Sequence, residues 1–182
     1  MELNADGTVK SDTTTPATPK AEVIANANNG YAFVNWTAGE ESYNDVTDIR
    51  GTEFTEDTTF TANFAIRTDL SYEVHYFYDG TEDSESAVIE TEAIFDEAIP
   101  YDKTSPKEYM GKNYVLGHVE KTGSGRVTTE AEKNIVNVYY LSDGDEDGTA
   151  DEYQITLKFE AGANGTVTGT TEEKHTVRIV EL

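Results

Sequence analysis

The chain has 182 residues and carries 36 Asp and Glu against 13 Lys and Arg, which gives a formal net charge of −23. Binding to nucleic acid needs clustered cations, so this charge argues against a nucleic-acid partner. Cysteine is absent, which excludes a disulfide framework, and no apolar run approaches the roughly 18 residues that a membrane span requires.

The composition also limits the fold class. Thr, Asn, Asp, Glu and Gly are plentiful whereas Leu and Met are scarce, a balance that favours strands and turns over helices. The first residues, MELNAD, lack the basic and apolar regions of an export signal. We therefore expect any signal or wall anchor to lie outside this sequence.

Two strands are predicted in the first third of the chain, at residues 31–36 and 58–64. Both stretches are rich in aromatic and β-branched residues with period-2 alternation. Alternation places Trp36 and Phe33 on opposite faces of the first strand. We expect Trp36 to anchor the core of this module and not to stack on a sugar from an exposed position.

In the middle of the chain, period-2 alternation predicts two further strands, at residues 71–78 and 134–141. Their aromatic residues would make good cross-strand pairs. The dipeptides Asp79-Gly80 and Asn164-Gly165 are tight-turn signals of the kind that close hairpins.

One short helix is predicted, beginning near residue 105. Ser105 can cap it, Pro106 suits the first helical position, and Glu108 completes a capping box. Gly111 would end the helix within about two turns.

An acidic segment at residues 142–152 contains aspartates at alternate positions before Gly148. Ca²⁺ prefers six to eight oxygen ligands, which such a segment can supply from one tight loop. The candidate ligands are Asp143, Asp145, Asp147 and Asp151. The twelfth position, where an EF-hand has a bidentate Glu, is Gln154, so a full EF-hand is not predicted. A flexible acidic linker without metal is the alternative, and the sequence leaves both open.

The last segment predicts a strand at residues 153–159 and then repeats the start of the chain. Gly7-Thr8-Val9 and its surroundings are similar to those of Gly165-Thr166-Val167. The same module therefore begins twice, as in a tandem array. Each end module lacks strands that the other has, and this predicts exposed sheet edges at both.

The first segment resembles the internalin-type B repeat of bacterial surface proteins. The resemblance rests on GYAFVNW at residues 30–36, followed by TEDTTFTANF at residues 55–64. That repeat has a Gly-Tyr-x-Phe-x-x-Trp motif and then an acidic turn that leads into a last strand ending in an aromatic residue.

The middle segment resembles the mucin-binding-protein domain of Gram-positive surface proteins. The matching stretches are YFYDG at residues 76–80, PYD at 100–102, NYVL at 113–116 and NVYY at 137–140. Both resemblances imply β-grasp-like folds with short mixed sheets. The acidic segment, in turn, is similar to the short calcium loops of thrombospondin type 3 and dockerin-like repeats.

Signals for catalysis are weak. His75, His118 and His175 fall on predicted strands without metal-ligand spacing, so we expect each to be exposed or packed across strands. No Ser has the spacing of a nucleophile elbow, and small β modules seldom enclose a cleft for paired carboxylates. We expect the tyrosines of the middle segment to be half-buried in strands, although they could instead form an adhesive face. They are Tyr72, Tyr76, Tyr78, Tyr101, Tyr109, Tyr114, Tyr139 and Tyr140.

The sequence thus predicts a mainly β protein, α+β at most, made of tandem β-grasp-like modules with at most one short helix. The predicted segments are a B-repeat-like module at 1–67, a middle module at 70–141, an acidic linker at 142–152 and a truncated second B-repeat-like module at 153–182. We expect a monomeric, extracellular, non-catalytic adhesion module that touches host glycoprotein, glycan or neighbouring modules. A purely structural stalk is the alternative, and Ca²⁺ is the one candidate cofactor.

Overall fold

A computed structural model describes residues 16–177 and divides the chain into two compact units, with the boundary between Arg67 and Thr68. The architecture is mainly β, as predicted. Within the described residues, no helix is long and apolar enough to cross a membrane. Gly7-Thr8-Val9, the first copy of the repeated motif, lies outside the described range.

Within residues 16–67, the N-terminal unit contains a three-stranded antiparallel sheet and one short helix. The strands have the order β2-β1-β3. In chain order the elements are β1 (Tyr31–Ala38), β2 (Glu41–Tyr43), α1 (Val46–Arg50) and β3 (Thr61–Ile66).

Helix α1 was not predicted from the sequence, because at five residues it is too short to show helical periodicity. Its capping residue is nonetheless explicit. The Asp45 carboxylate accepts hydrogen bonds from the backbone N–H groups of Thr47 at 2.6 Å and Asp48 at 3.1 Å. Ile49, on the inner side of the helix, is buried.

A β-bulge in β1 changes which side chains share a face. Phe33 pairs with Phe64, but Asn35 pairs with Asn63, so Val34 is the extra residue. The ring centroids of Phe33 and Trp36 consequently lie 5.9 Å apart. The prediction that these two residues lie on opposite faces is wrong, because strict alternation holds only for a strand without a bulge. Trp36 is half-buried.

The second unit contains the remaining strands. They are β4 (Leu70–Tyr78), β5 (Thr81–Glu82), β6 (Val88–Ala93), β7 (Lys107–Tyr109), β8 (Lys112–Lys121), β9 (Ile135–Ser142), β10 (Gln154–Lys158) and β11 (Glu172–Thr176). The first six form one sheet with the order β5-β4-β9-β8-β7, and β6 pairs with β4. Short 3₁₀ turns cover Ala131–Lys133 and Asp151–Tyr153.

The six-stranded sheet is mixed, because β4 and β9 run parallel and the other pairs are antiparallel. One face of this sheet carries the hydrophobic core. Its eleven buried members are Leu70, Val74, Tyr76, Tyr78, Ala93, Ile99, Tyr114, Val127, Val136, Val138 and Tyr140. The segment around Ile99 covers this face and is fixed by a bridge between Ala98 and Arg126.

The helix predicted from residue 105 is wrong. Residues 107–109 form β7, which pairs with β8 through a hairpin whose turn residues, Met110 and Gly111, have positive φ angles of 49° and 72°. Two left-handed residues in succession close a hairpin and cannot continue a helix. The Tyr109 ring stacks on Tyr78 at 3.8 Å, so tertiary packing and turn geometry override the capping pattern.

Two turn predictions had different outcomes. Asp79 and Gly80 have φ angles of 46° and 78° and close the β4–β5 hairpin, as predicted. Asn164 has a φ of 68° but lies in the long connection between β10 and β11 rather than at a tight hairpin.

The β10–β11 hairpin is largely exposed along both strands. It forms a sheet of only two strands, and Ile155, Leu157 and Phe159 show large exposed fractions. This agrees with the expected exposed sheet edges in the C-terminal segment. The division of this hairpin from the middle module as a separate domain stays a prediction.

Candidate functional site

The acidic loop, residues 143–151, folds around the side chain of Asp143. This carboxylate is only 1% exposed, and it accepts hydrogen bonds from the backbone N–H groups of Asp147 at 3.2 Å and Gly148 at 2.9 Å. A buried carboxylate must be paired or hydrogen-bonded to be tolerated. Asp143 therefore organises the loop that follows it.

Three of the four predicted calcium ligands come together in this loop. Carboxylate oxygens of Asp143, Asp145 and Asp151 lie within 4.8 Å of one another. Asp151 also accepts a hydrogen bond from the backbone N–H of Gly144 at 2.9 Å. Carboxylate oxygens at this spacing suit a hard cation such as Ca²⁺.

Asp147 does not join the other three predicted ligands. Its carboxylate accepts hydrogen bonds from the Thr149 backbone N–H at 2.8 Å and from the Gln154 side-chain amide at 2.6 Å. Asp147 therefore stabilises the end of the loop and ties it to the start of β10. From the alternating aspartates in the sequence, a loop-stabilising aspartate cannot be told apart from a metal ligand.

A lysine that the sequence analysis did not single out also contacts the loop. The Lys174 ammonium group, on β11, forms an ion pair with Asp145. The loop thus connects to both strands of the β10–β11 hairpin, through Asp145 and through Asp147. A metal ion at the three carboxylates would compete with the Lys174 ammonium group for Asp145.

The tyrosines of the middle module mostly serve the core. Tyr76, Tyr78, Tyr114 and Tyr140 are buried. This agrees with the expectation that these tyrosines have a structural role. These four side chains are, however, more deeply buried than was predicted. An adhesive surface made of all eight residues is not formed.

Lys107 lies among the buried tyrosines. Its ammonium nitrogen is 5.1 Å from the ring centroids of both Tyr76 and Tyr140, and it pairs with Asp102 at 2.9 Å. Burial lowers the pKa of Lys107, but the hydrogen bonds to Asp102 and Tyr78 and the charges of the neighbouring tyrosines together outweigh burial and hold this pKa well above its usual range. Burial raises the pKa of Tyr140 to about 12.

The face of the six-stranded sheet opposite the core, here called the open face, carries a row of stacked rings. Phe77 of β4 stacks on Tyr139 of β9 at 4.7 Å, and His118 of β8 stacks on the same tyrosine at 4.4 Å. A β-bulge at Gly117 brings His118 to this face, since Leu116 pairs with Tyr140 on the core side. Without the bulge, strict alternation would place His118 on the same face as Leu116, the core side.

Carboxylates surround the ring row. By register the open face carries Glu73, His75 and Phe77 of β4, Glu82 of β5, Ile89 of β6, Glu108 of β7, Asn113, Val115, His118 and Glu120 of β8, and Ile135, Asn137, Tyr139 and Leu141 of β9. The Tyr139 hydroxyl donates a hydrogen bond to Glu120 at 3.2 Å. No lysine or arginine occupies a strand-paired position of this face within residues 70–142.

His75 lies between two of these carboxylates. Its Nδ1 is 2.7 Å from Glu82 and its Nε2 is 3.0 Å from Glu73. Burial lowers the pKa of His75, but the hydrogen bonds to both carboxylates and their negative charge together outweigh burial and raise this pKa above its ordinary value. All three histidines lie on strands as predicted, and His175 on β11 is exposed beside Glu173.

Comparison with known proteins supports the N-terminal resemblance. Residues 2–68 match the model of the divergent InlB B-repeat domain family, which confirms the predicted B-repeat character of that segment. No curated protein and no solved structure matches the chain. The resemblance of the middle module to mucin-binding-protein domains stays a prediction.

Proposed function

We propose that this chain is a non-catalytic adhesion module of a secreted bacterial surface protein, and that it contacts host glycoprotein or glycan through its middle module. The B-repeat match at residues 2–68 supports a surface repeat protein. The single observation that favours contact with a partner is the open face, which presents three stacked rings among four glutamates.

The geometry of the open face suits recognition better than catalysis. Glu73 and Glu82 both contact His75, and Glu120 contacts Tyr139, so these carboxylates stand beside flat rings on a sheet surface. A glycosidase needs two carboxyl groups on opposite sides of a cleft. Rings flanked by hydrogen-bonding groups are typical of surfaces that bind another molecule.

Adhesion of coated beads tests this proposal. Beads that carry the full chain should attach to epithelial cells, and a variant with Glu120→Arg and His118→Ala should attach several-fold less. Glu132→Arg, which alters an exposed residue of the 3₁₀ turn, is the control and should keep full attachment. Absence of attachment by the unaltered chain would contradict adhesion.

A structural stalk is the second candidate, and the acidic loop favours it. The loop holds both strands of the β10–β11 hairpin, through the Lys174–Asp145 ion pair and the Gln154–Asp147 hydrogen bond. We propose that Ca²⁺ at Asp143, Asp145 and Asp151 stiffens this junction, with a dissociation constant of about 10⁻⁴ to 10⁻³ M, the range of extracellular calcium modules.

Calorimetric titration with Ca²⁺ separates the two functions of the aspartates. Asp145→Asn should abolish saturable binding, whereas Asp147→Asn should retain it, because Asp147 bonds to Thr149 and Gln154 instead. Limited proteolysis within 142–152 should accelerate in chelator. If the unaltered chain binds no Ca²⁺ at millimolar concentration, the loop is a linker that holds itself together without metal.

A further inference from the structure

We propose that the open face of the middle module binds a cationic segment of a protein partner, one that carries lysine or arginine side chains. This inference rests on the proposed adhesion function and specifies the chemistry of its partner. Three observations support it: the stacked rings, the exposure of the glutamates and of His118 beside them, and the unequal distribution of charge between the two faces.

The charged and aromatic groups of the open face are accessible to a partner. The core and the segment around Ile99 cover the opposite side of the sheet, and on the open face, within residues 70–142, only the end near Ser142 holds a buried apolar residue, Val115. On the open face, side chains of Glu73, Glu82 and Glu120 are 45%, 42% and 59% exposed. The His118 side chain, at the end of the ring row, is 54% exposed. A partner therefore reaches both the rings and the carboxylates without any rearrangement of the fold.

The two faces of the sheet differ in charge. Glu73, Glu82, Glu108 and Glu120 lie on the open face, so carboxylates outnumber His75 there even when this histidine is protonated. The lysines of the same strands lie on the core side. Lys107 pairs with Tyr114 and Lys121 pairs with Val136, and both of these partners are buried core residues. The sheet is thus polarised, with its strand lysines on one side and its glutamates on the other.

The groups of the open face are of the kind that bind a cation. An ammonium or guanidinium group is attracted to aromatic rings and to carboxylates, and arginine stacks well on flat rings. The same module already contains this arrangement, since Lys107 lies over Tyr76 and Tyr140 and pairs with Asp102. On the open face Tyr139 is stacked between Phe77 and His118, so a cation from outside would meet the carboxylates of Glu73 and Glu120 beside the ends of this ring row.

The charge also selects among partners. Sialylated or sulfated glycans carry negative charge and would be repelled by four glutamates and by the net charge of −23. Neutral glycans would gain hydrogen bonds but no electrostatic attraction. A cationic polypeptide segment gains attraction at long range and contact with the rings at short range, so it is the partner that this face fits.

The test uses the full chain and a fluorescein-labelled hexa-arginine peptide, with hexaglutamine as the uncharged peptide. The face variant Glu73→Gln/Glu120→Gln should weaken hexa-arginine binding about tenfold, the combined effect expected for the loss of two partly exposed ion pairs. The control variant Glu97→Gln/Glu132→Gln removes the same charge from exposed positions elsewhere and should weaken binding less than about twofold. Phe77→Leu should weaken it about threefold, with folding verified by circular dichroism.

Equal losses in the face and control variants would overturn the proposal, because binding would then follow net charge alone. Binding of a neutral oligosaccharide that depends on Glu73 and Glu120, without binding of hexa-arginine, would overturn it in favour of a glycan. Bead adhesion that persists in saturating hexa-arginine would also overturn it while leaving the adhesion function intact. If beads that carry the unaltered chain do not attach at all, that result would instead contradict the proposed adhesion function.

Discussion

The N-terminal unit and the middle module differ in how they are stabilised. Eleven buried residues form the core of the middle module, whereas Ile49 is the one buried hydrophobic residue within residues 16–67. The N-terminal unit relies instead on half-buried ring pairs, such as Phe54 with Phe60 at 5.2 Å. A recognisable sequence motif and a deep core are thus separate properties, since the unit with the family match has the smaller core.

The largest effect is expected from truncating a core ring. Tyr140→Ala in the middle module should lower the free energy of unfolding by about 4 kcal/mol, and Phe60→Ala in the N-terminal unit by about 2 kcal/mol, because Phe60 is half-buried. Trp36 is the sole tryptophan, so its emission follows the N-terminal unit during urea unfolding. Equal losses would contradict the difference in core depth.

The next effect concerns a buried amide that joins three segments of the middle module. Asn134 is fully buried and donates hydrogen bonds to the carbonyl oxygens of Ser71 at 2.9 Å and Thr128 at 2.8 Å, while it accepts one from the Thr128 N–H. Asn134→Ala leaves these groups unpaired and should cost about 2 to 3 kcal/mol. The loss in the free energy of unfolding is measured by tyrosine circular dichroism during urea unfolding. Asn137→Ala on the open face is the control. A neutral result would show that water replaces the amide.

A smaller effect is expected in the N-terminal unit. Asp45→Ala removes the cap of helix α1 and should cost about 1 kcal/mol, visible in the Trp36 transition and not in the middle module. Asp45→Asn should keep most of the stability, since an amide oxygen also accepts these hydrogen bonds. A shift in both transitions would show that the units do not unfold separately.

The smallest effect is a dependence on pH. Because the pKa of His75 is raised in the folded state, protonation of His75 stabilises the middle module fully below its unfolded pKa of about 6.5. This contribution is lost as pH rises through the raised folded pKa. The difference in urea midpoint between the unaltered chain and His75→Gln should therefore shrink from pH 5.5 to pH 8. A difference that grows with pH would contradict the raised pKa.

Much of the fold follows from local patterns in the sequence. Alternation located β4, β9 and β10, and Asp79-Gly80 marked the β4–β5 hairpin, because these signals depend only on neighbouring residues. The helix at residue 105 failed because the stacking of Tyr109 on Tyr78 is a tertiary contact. No local pattern reports such a contact.

The candidate sites were predicted less completely for the same reason. The spacing of the aspartates found Asp143, Asp145 and Asp151, but it could not find Lys174, which comes from a distant strand. The open face depends on the β-bulge at Gly117, where an added Cβ would lie 2.7 Å from the Leu141 side chain. Glycine at a strand interior is a signal that could have indicated the bulge.

The parallel pairing of β4 and β9 has a mechanical consequence. The chain enters the middle module at the start of β4 and leaves it at the end of β9, and these strands are hydrogen-bonded neighbours. Tension applied through the flanking chain pulls the two strands in opposite directions along their length. Their hydrogen bonds are then loaded together in shear, not opened one after another, so the module resists pulling along the direction in which a tethered surface protein would be stretched.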